Sequence, residues 1–401
     1  SLLWALPGLV AASGPAAGTS GSVISRAMYG VRGNRAFVAV VGWFIGAVFL
    51  GLGWLASSFM GADVLRRMGL DDPIWTPLAV TLVVSTITVL VAIVGHGLIL
   101  RVFPWLAGIL LVIFVAVSAS IMPSVDWSYR SPAPLEGVAL VSALSIGFAI
   151  LASTPLSFIN SPDIARYLPR STAPWRIAVA TAVGGAVPSA VFSVVGVLLA
   201  TALDPAAVAG GIDAAIFDLL PTWLAPLLGL GVVVNTIALN AMTAYTSSMA
   251  LQAVGIRLRR IPATIVVGVV GTALTAVFVL TSNLLDAVNL MLQFLVVVSA
   301  PAMAVFAVDV VLRRCRYDGP DLFATGPGAR YWYSRGFGLP GLIALAAGGV
   351  ASVACVATDV WVGPVALALG VVDLSVPAGM LVSGILYALL LRTPIAKDGR
   401  P

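Results

Sequence analysis

Four polar side chains stand out in the apolar stretch 221–250: Thr236, Asn240, Thr243 and Ser247, spaced i, i+4, i+7 and i+11, with Asn235 at the edge of the stripe. On a helix this spacing puts them on one face. An amide donates and accepts, so Asn235 and Asn240 suit a polar solute that presents both kinds of group. Thr236 adds a hydroxyl oxygen. The same residue types also make hydrogen bonds between packed helices, and both readings stay open. A second candidate is Ser153-Thr154-Pro155-Leu156-Ser157-Phe158. Pro155 lacks an N–H and disfavours continuous helix, so a break is expected there, with the Ser157 hydroxyl and freed backbone groups available for hydrogen bonding. Phe158 would either stack on a flat solute or fill the core.

Other chemistries fail on residue type. His96 is the single histidine, and Cys315 and Cys355 are isolated, so no zinc spacing or disulfide framework exists. A membrane enzyme would need an acidic metal cluster, or a nucleophile with its base in reach. The apolar segments contain neither HExxH nor DxxxD, and the chain reads as a non-enzyme without a cofactor. Asp286, Asp309 and Asp373 fall near the ends of apolar segments, Asp309 with Arg313 at i+4 as a structural pair.

The elements that position these residues follow from composition. Of 401 residues 60% are hydrophobic and only 9% charged, and mean hydropathy is +1.08. Soluble domains carry about a quarter charged residues, so the surface must face lipid, and the chain is an all-α integral membrane protein. Stretches of roughly 20 apolar residues cross a bilayer as helices. Full ones are read near 36–60, 76–99, 102–122, 137–158, 176–201, 221–250, 261–281, 285–312, 339–358 and 371–391. A partial one occupies 1–13, which makes about 11 membrane helices in a single domain, 1–401, whose one sizeable loop is 313–338.

Sorting cations into alternate loops leaves only Arg66, Arg67 and Arg130 on one side, out of 21 Lys and Arg. By the positive-inside rule the Arg-rich side is cytoplasmic, and it includes the C-terminus. The net charge of +5 is therefore topological and implies no nucleic-acid partner. An odd number of crossings that ends inside leads to the expectation that one further helix precedes Ser1, so that the segment at 1–13 is the second.

Three motifs punctuate the Arg-rich side. Gly14-Pro15-x-x-Gly18 leads into Ser25-Arg26-x-x-Tyr29-Gly30-x-x-Gly33-Asn34. Asp163-Ile164-Ala165-Arg166-Tyr167-Leu168-Pro169 follows the segment 137–158, with Asp163 and Arg166 spaced to pair on one helical turn. The third runs from Phe294-Leu295 and Pro301 through Asp309-x-x-x-Arg313-Arg314 and Tyr317-Asp318-x-x-Asp321-Leu322-Phe323 to Tyr331-Trp332-Tyr333-x-x-Gly336. In this order and spacing they resemble the nucleobase:cation symporter-1 family, the permeases of purines, cytosine, uracil, thiamine, allantoin and hydantoins, over essentially the whole chain.

The resemblance implies a five-plus-five inverted-repeat transporter fold of LeuT type. Substrate and cation would lie near the bilayer midplane, beside broken helices. It implies a secondary active transporter of the plasma membrane that imports a nucleobase-like solute with H+ or Na+ by alternating access. Asn residues of the eighth helix take part in the family's substrate site, which supports Asn235 and Asn240. The family's aromatic pair would fall near Phe158 and Phe49, where this sequence has no Trp. A sodium site would combine hydroxyls of the eighth helix with carbonyls of the first. Thr236 is the one candidate oxygen here, since Val233 and Val234 stand where hydroxyls would be. An amino-acid carrier of the same fold, and a truncated, inactive permease, are the competing readings.

Overall fold

The computed structural model describes residues 2–396 except 71, 95, 132, 257, 282 and 283. Arg257, Lys397 and Arg400, assigned above to the Arg-rich side, lie outside the described residues, as do the side chains of His96 and Asp286. The principal helices are α1 (Ala5–Ala11), α2 (Arg26–Phe37), α3 (Ile45–Arg67), α4 (Trp75–Val94), α5 (His96–Ile121), α6 (Gly137–Ser157), α7 (Pro174–Ala202), α8 (Leu224–Ala253), α9 (Arg260–Thr281), α10 (Leu284–Arg313), α11 (Leu339–Cys355) and α12 (Ser375–Leu390). Among the described residues no strand forms beyond the isolated bridges Ser334–Phe337 and Ala357–Val362. In hydrocarbon a backbone must satisfy its own polar groups, and the helix does so within one segment.

Among the described residues eight helices are long and apolar enough to cross a membrane. The stretch Leu2–Ala17, α11 and α12 are apolar but shorter. Several boundaries differ from the sequence reading, and α3 runs on to Arg67 instead of ending near residue 60. α4 ends at Val94 and α5 runs through Arg101 and Pro104, so His96 opens α5 instead of closing α4. α3 is preceded by a π-helical stretch, Val38–Phe44. The segment expected at 371–391 starts only at Ser375, because Asp373 takes the N–H groups of Ala357 and Ser375 and ties a turn there.

Lipid tails are as apolar as the side chains, so helices in a membrane associate by close packing of small residues. A Cβ on Gly53 would lie 2.7 Å from the Asn240 amide, one on Gly46 would collide with Ser247, and one on Gly271 would lie 2.8 Å from the Trp54 ring. These contacts seat α8 and α9 on α3. Of the most apolar stretch of each helix, 72% of residues are buried in α10 and none in α7. α10 is therefore the central post and α7 faces hydrocarbon.

The Arg-rich loops converge at one end of the bundle. Arg26 donates to the Leu322 carbonyl at 2.8 Å, and the backbone N–H of Arg32 donates to Gly336 at 2.7 Å. Arg313 and the Tyr333 hydroxyl both donate to the Ala27 carbonyl. Gly21 N–H donates to Asp163. The three sequence motifs, far apart in the chain, thus form one contact system.

Candidate functional site

α6 continues through Pro155 and ends at Ser157. A 3-10 turn, Phe158–Asn160, follows, then Ser161 and the short helix Pro162–Ala165. The break expected at Pro155 thus lies at Phe158, whose ψ of 41° leaves the helical range. Pro155 is tolerated because the missing bond falls in the last turn, and Pro162 opens the next helix at a position where its absent N–H costs nothing. The Ser157 hydroxyl turns back on the Thr154 carbonyl at 2.7 Å and spans no gap between helices.

Two aromatic rings and an amide occupy this interruption. The half-buried Phe158 ring lies 5.2 Å from Trp4 at 52°. The Trp4 indole rests on the bare backbone of Gly185 in α7 and donates to the Ser189 hydroxyl at 2.8 Å. Asn160 donates its Nδ2 hydrogen to Thr246 Oγ1 of α8 at 2.8 Å, tying the broken segment to the helix that carries the polar stripe. Sequence reasoning missed Trp4, Asn160 and Thr246. An amide two residues beyond Phe158 was the available signal for Asn160.

The stripe forms as its spacing predicts. Thr236, Asn240 and Ser247 are buried and Thr243 half-buried, with Asn240 and Ser247 against Gly53 and Gly46 of α3. Asn240 Nδ2 donates to the Leu50 carbonyl at 3.0 Å, beside Gly53 and one residue from the half-buried Phe49. Asn235 is exposed and belongs to a different face. Five residues at about 100° each separate it from Asn240 by roughly 140°, so the two amides do not converge on one space. Asn240 lies at the α3–α8 contact, with Thr236 buried one turn earlier on α8 and Phe49 next to Leu50 on α3, while Ser157, Phe158 and Asn160 lie along the α6 break. An apolar groove of about 160 Å³ near Asn235 is lined by Leu98, Val102, Phe103, Leu106, Val234 and Ile237. A polar heterocycle there would leave its edges unpaired.

Among the described residues no group of three or more His, Cys, Asp and Glu is placed to hold a metal ion. Asp309 and Asp373 are buried, not at an exposed rim. Asp309 receives Arg313 Nε at 2.9 Å and 3.0 Å on its two oxygens, with the hydroxyls of Tyr317 and Tyr387 at 2.8 Å and 2.6 Å. This is the structural pair expected. The other expected pair does not close. Asp163 Oδ1 accepts Gly21 N–H at 2.7 Å, and Arg166 Nη2 instead reaches the hydroxyls of Tyr167 and Tyr245 at 3.0 Å and 3.2 Å and Met249 Sδ at 3.3 Å. The tyrosines and the loop N–H outcompete the local pair.

The family model for permeases of cytosine/purines, uracil, thiamine and allantoin matches residues 2–379. No curated protein matches the chain. Among solved structures, the chain is similar to Mhp1, a nucleobase-cation-symport-1 family transporter, in a closed conformation with bromovinylhydantoin bound. The TM-score is 0.74 at 18% identity, over 98% of this chain and 83% of that one. The inward-facing conformation of Mhp1 gives 0.68 at 17%, over 99% and 85%. That shared architecture is the five-plus-five inverted-repeat fold. With its three motifs joined at one end of an all-helical bundle and the family match running almost its full length, the chain belongs to the permeases for cytosine/purines, uracil, thiamine and allantoin, multi-pass membrane transporters and not enzymes.

Proposed function

We propose that this chain imports a nucleobase or closely related heterocycle of the cytosine, purine, uracil or allantoin class across the plasma membrane, driven by co-entry of H+ or Na+. The observation that carries this reading is the interruption of α6 at Phe158, where an apolar helix opens beside two rings and an amide bonded to α8. Rings supply a stacking surface, the Asn160 amide beside them supplies a donor and acceptor for the edge of a planar solute, and Asn240 offers a second amide at the neighbouring α3–α8 contact. Thr236, buried on the same helix as Asn240, offers an oxygen for a cation. The Arg-rich end faces the cytoplasm, with the C-terminus on that side.

The test is uptake by the protein in proteoliposomes of labelled cytosine, hypoxanthine, uracil and allantoin, and of hydantoin, the ring class bound to Mhp1. Each is measured with and without Na+, and with a proton uncoupler. Accumulation of at least one probe that collapses when its driving ion is removed supports the reading. Absence of accumulation for all of them overturns it.

A further inference from the structure

We propose that Asp163 is the proton-binding carboxyl of this carrier, holding its proton on Oδ2 in the arrangement seen here. The inference rests on the transport reading above and deepens it by naming the coupling ion and its seat.

Asp163 is 1% exposed. Its Oδ1 accepts the Gly21 N–H, and its Oδ2 is buried with no hydrogen-bond partner. A carboxylate oxygen left bare in an apolar setting costs far more than a neutral hydroxyl in the same place, and such a group answers by taking up a proton. The other deeply buried acids are provided for. Asp309 has a guanidinium and two phenols. Asp373 accepts from two backbone N–H groups and the Ser375 hydroxyl. Asp63 Oδ2 also lacks a hydrogen-bond partner, but its Oδ1 has the Arg66 guanidinium at 2.8 Å to balance the charge, a contact that Asp163 does not have.

The neighbours of Asp163 offer no substitute. The elements packed most closely on Pro162–Ala165 are α1, Ser13–Ala17 and Phe158–Asn160, and among their described residues none has a titratable side chain. Neither does Gly21–Ile24, which supplies the N–H. Arg166, on the same segment, is the one charged group that acts on Asp163, and its guanidinium is engaged by Tyr167, Tyr245 and Met249.

Placement gives the proton a function. Asp163 rides on the short segment beyond the α6 break, five residues from Phe158 and three from Asn160, whose amide bonds α8. Movement of that segment to release a solute inward would part Asp163 from Gly21 and admit water to Oδ2. The O–H bond then breaks, the proton passes to water, and the carboxylate left behind is hydrated. The proton is restored on Oδ2 when the segment closes again over a newly bound solute, so one proton travels with each solute.

Infrared titration of the protein in lipid reads this without any solute. We expect the C=O stretching band of a protonated carboxyl that fades as pH rises and is missing from Asp163→Asn, whose amide oxygen still accepts from Gly21. Arg166→Gln removes the facing cation and moves the fading of the band to higher pH. A band unchanged in Asp163→Asn overturns the proposal, as does one indifferent to Arg166→Gln if the first variant does not fold. In proteoliposomes, an inward proton gradient drives accumulation of whichever labelled probe the protein takes up. Asp163→Asn reduces this to equilibration while solute exchange without a gradient persists. Undiminished gradient-driven accumulation in Asp163→Asn also overturns the proposal. Failure of every probe with the infrared result intact sinks the nucleobase reading alone.

Discussion

Asn240 has one amide hydrogen committed to the Leu50 carbonyl, which leaves its oxygen and second N–H for another partner. Whether those atoms meet a solute is decided by comparing Asn240→Ala with Gly53→Ala. A Cβ at residue 53 falls 2.7 Å from both amide heteroatoms, so the amide must turn away although it is still present. If Asn240 contacts substrate, both variants raise KM for uptake by about tenfold or more, the scale of one lost hydrogen bond of roughly 1.4 kcal/mol. If the amide only ties helices, KM holds and stability alone falls, by about 0.6 kcal/mol for the bond. KM from uptake kinetics and melting in detergent separate the two cases. The spacing of the stripe was legible in the sequence because helical periodicity is local. The partner at Leu50 was not, since the sequence does not say which neighbour has the glycine that admits an amide.

At the scale of elements, the exit of α10 holds α12 and the start of α2 through one buried carboxylate. Arg313→Met removes the cation from Asp309, which is 0% exposed, and should cost about 3–5 kcal/mol. Tyr387→Phe removes one hydrogen bond to a charged group and should cost about 1.5–3 kcal/mol. Melting temperatures in detergent rank the two, and equal losses would show that the guanidinium is not what balances the charge. Tyr317 adds a pH signature. Burial, then the Asp309 charge, pushes its phenol well above the ordinary value. The folded protein therefore keeps a proton that the unfolded chain gives up as pH rises past about 10, so this contribution is complete below that pH and declines above it. Tyr317→Phe should melt lower at neutral pH and lose less on going to alkaline pH than the parent does. The Asp309–Arg313 pair was legible from i, i+4 spacing. Its tyrosines, 8 and 78 residues away, were not, because only the bundle brings α12 to that turn.

Across the whole molecule, charge placement and hydropathy revealed the bundle and its Arg-rich end, but not how that end is closed. The closure is a backbone junction: Arg32 and Gly33 N–H groups donate to the Gly336 carbonyl, and Gly338 N–H donates to Tyr29. Gly30 makes the approach possible with φ of 74° and no side chain, since a Cβ there would sit 2.6 Å from Gly336 O and Gly338 N. Gly69 provides a control: its φ is 93°, yet a Cβ would meet nothing within 4 Å. Both replacements by Ala carry a backbone cost, of order 1 kcal/mol for a positive φ and about 1–3 kcal/mol at Gly30, whose ψ of 171° places it in a region that glycine alone adopts. Only Gly30→Ala must also force the two loops apart. We expect Gly69→Ala to melt within a few degrees of the parent. Gly30→Ala should melt well below it and become sensitive to trypsin at Arg316, Arg330 or Arg335, next to the opened junction. Because that end faces the cytoplasm in the proposed orientation, cleavage should occur in inside-out vesicles and not in right-side-out ones. Equal melting of the two variants would mean that the junction contributes nothing beyond its turn, and cleavage from the outside would reverse the orientation derived from the arginines.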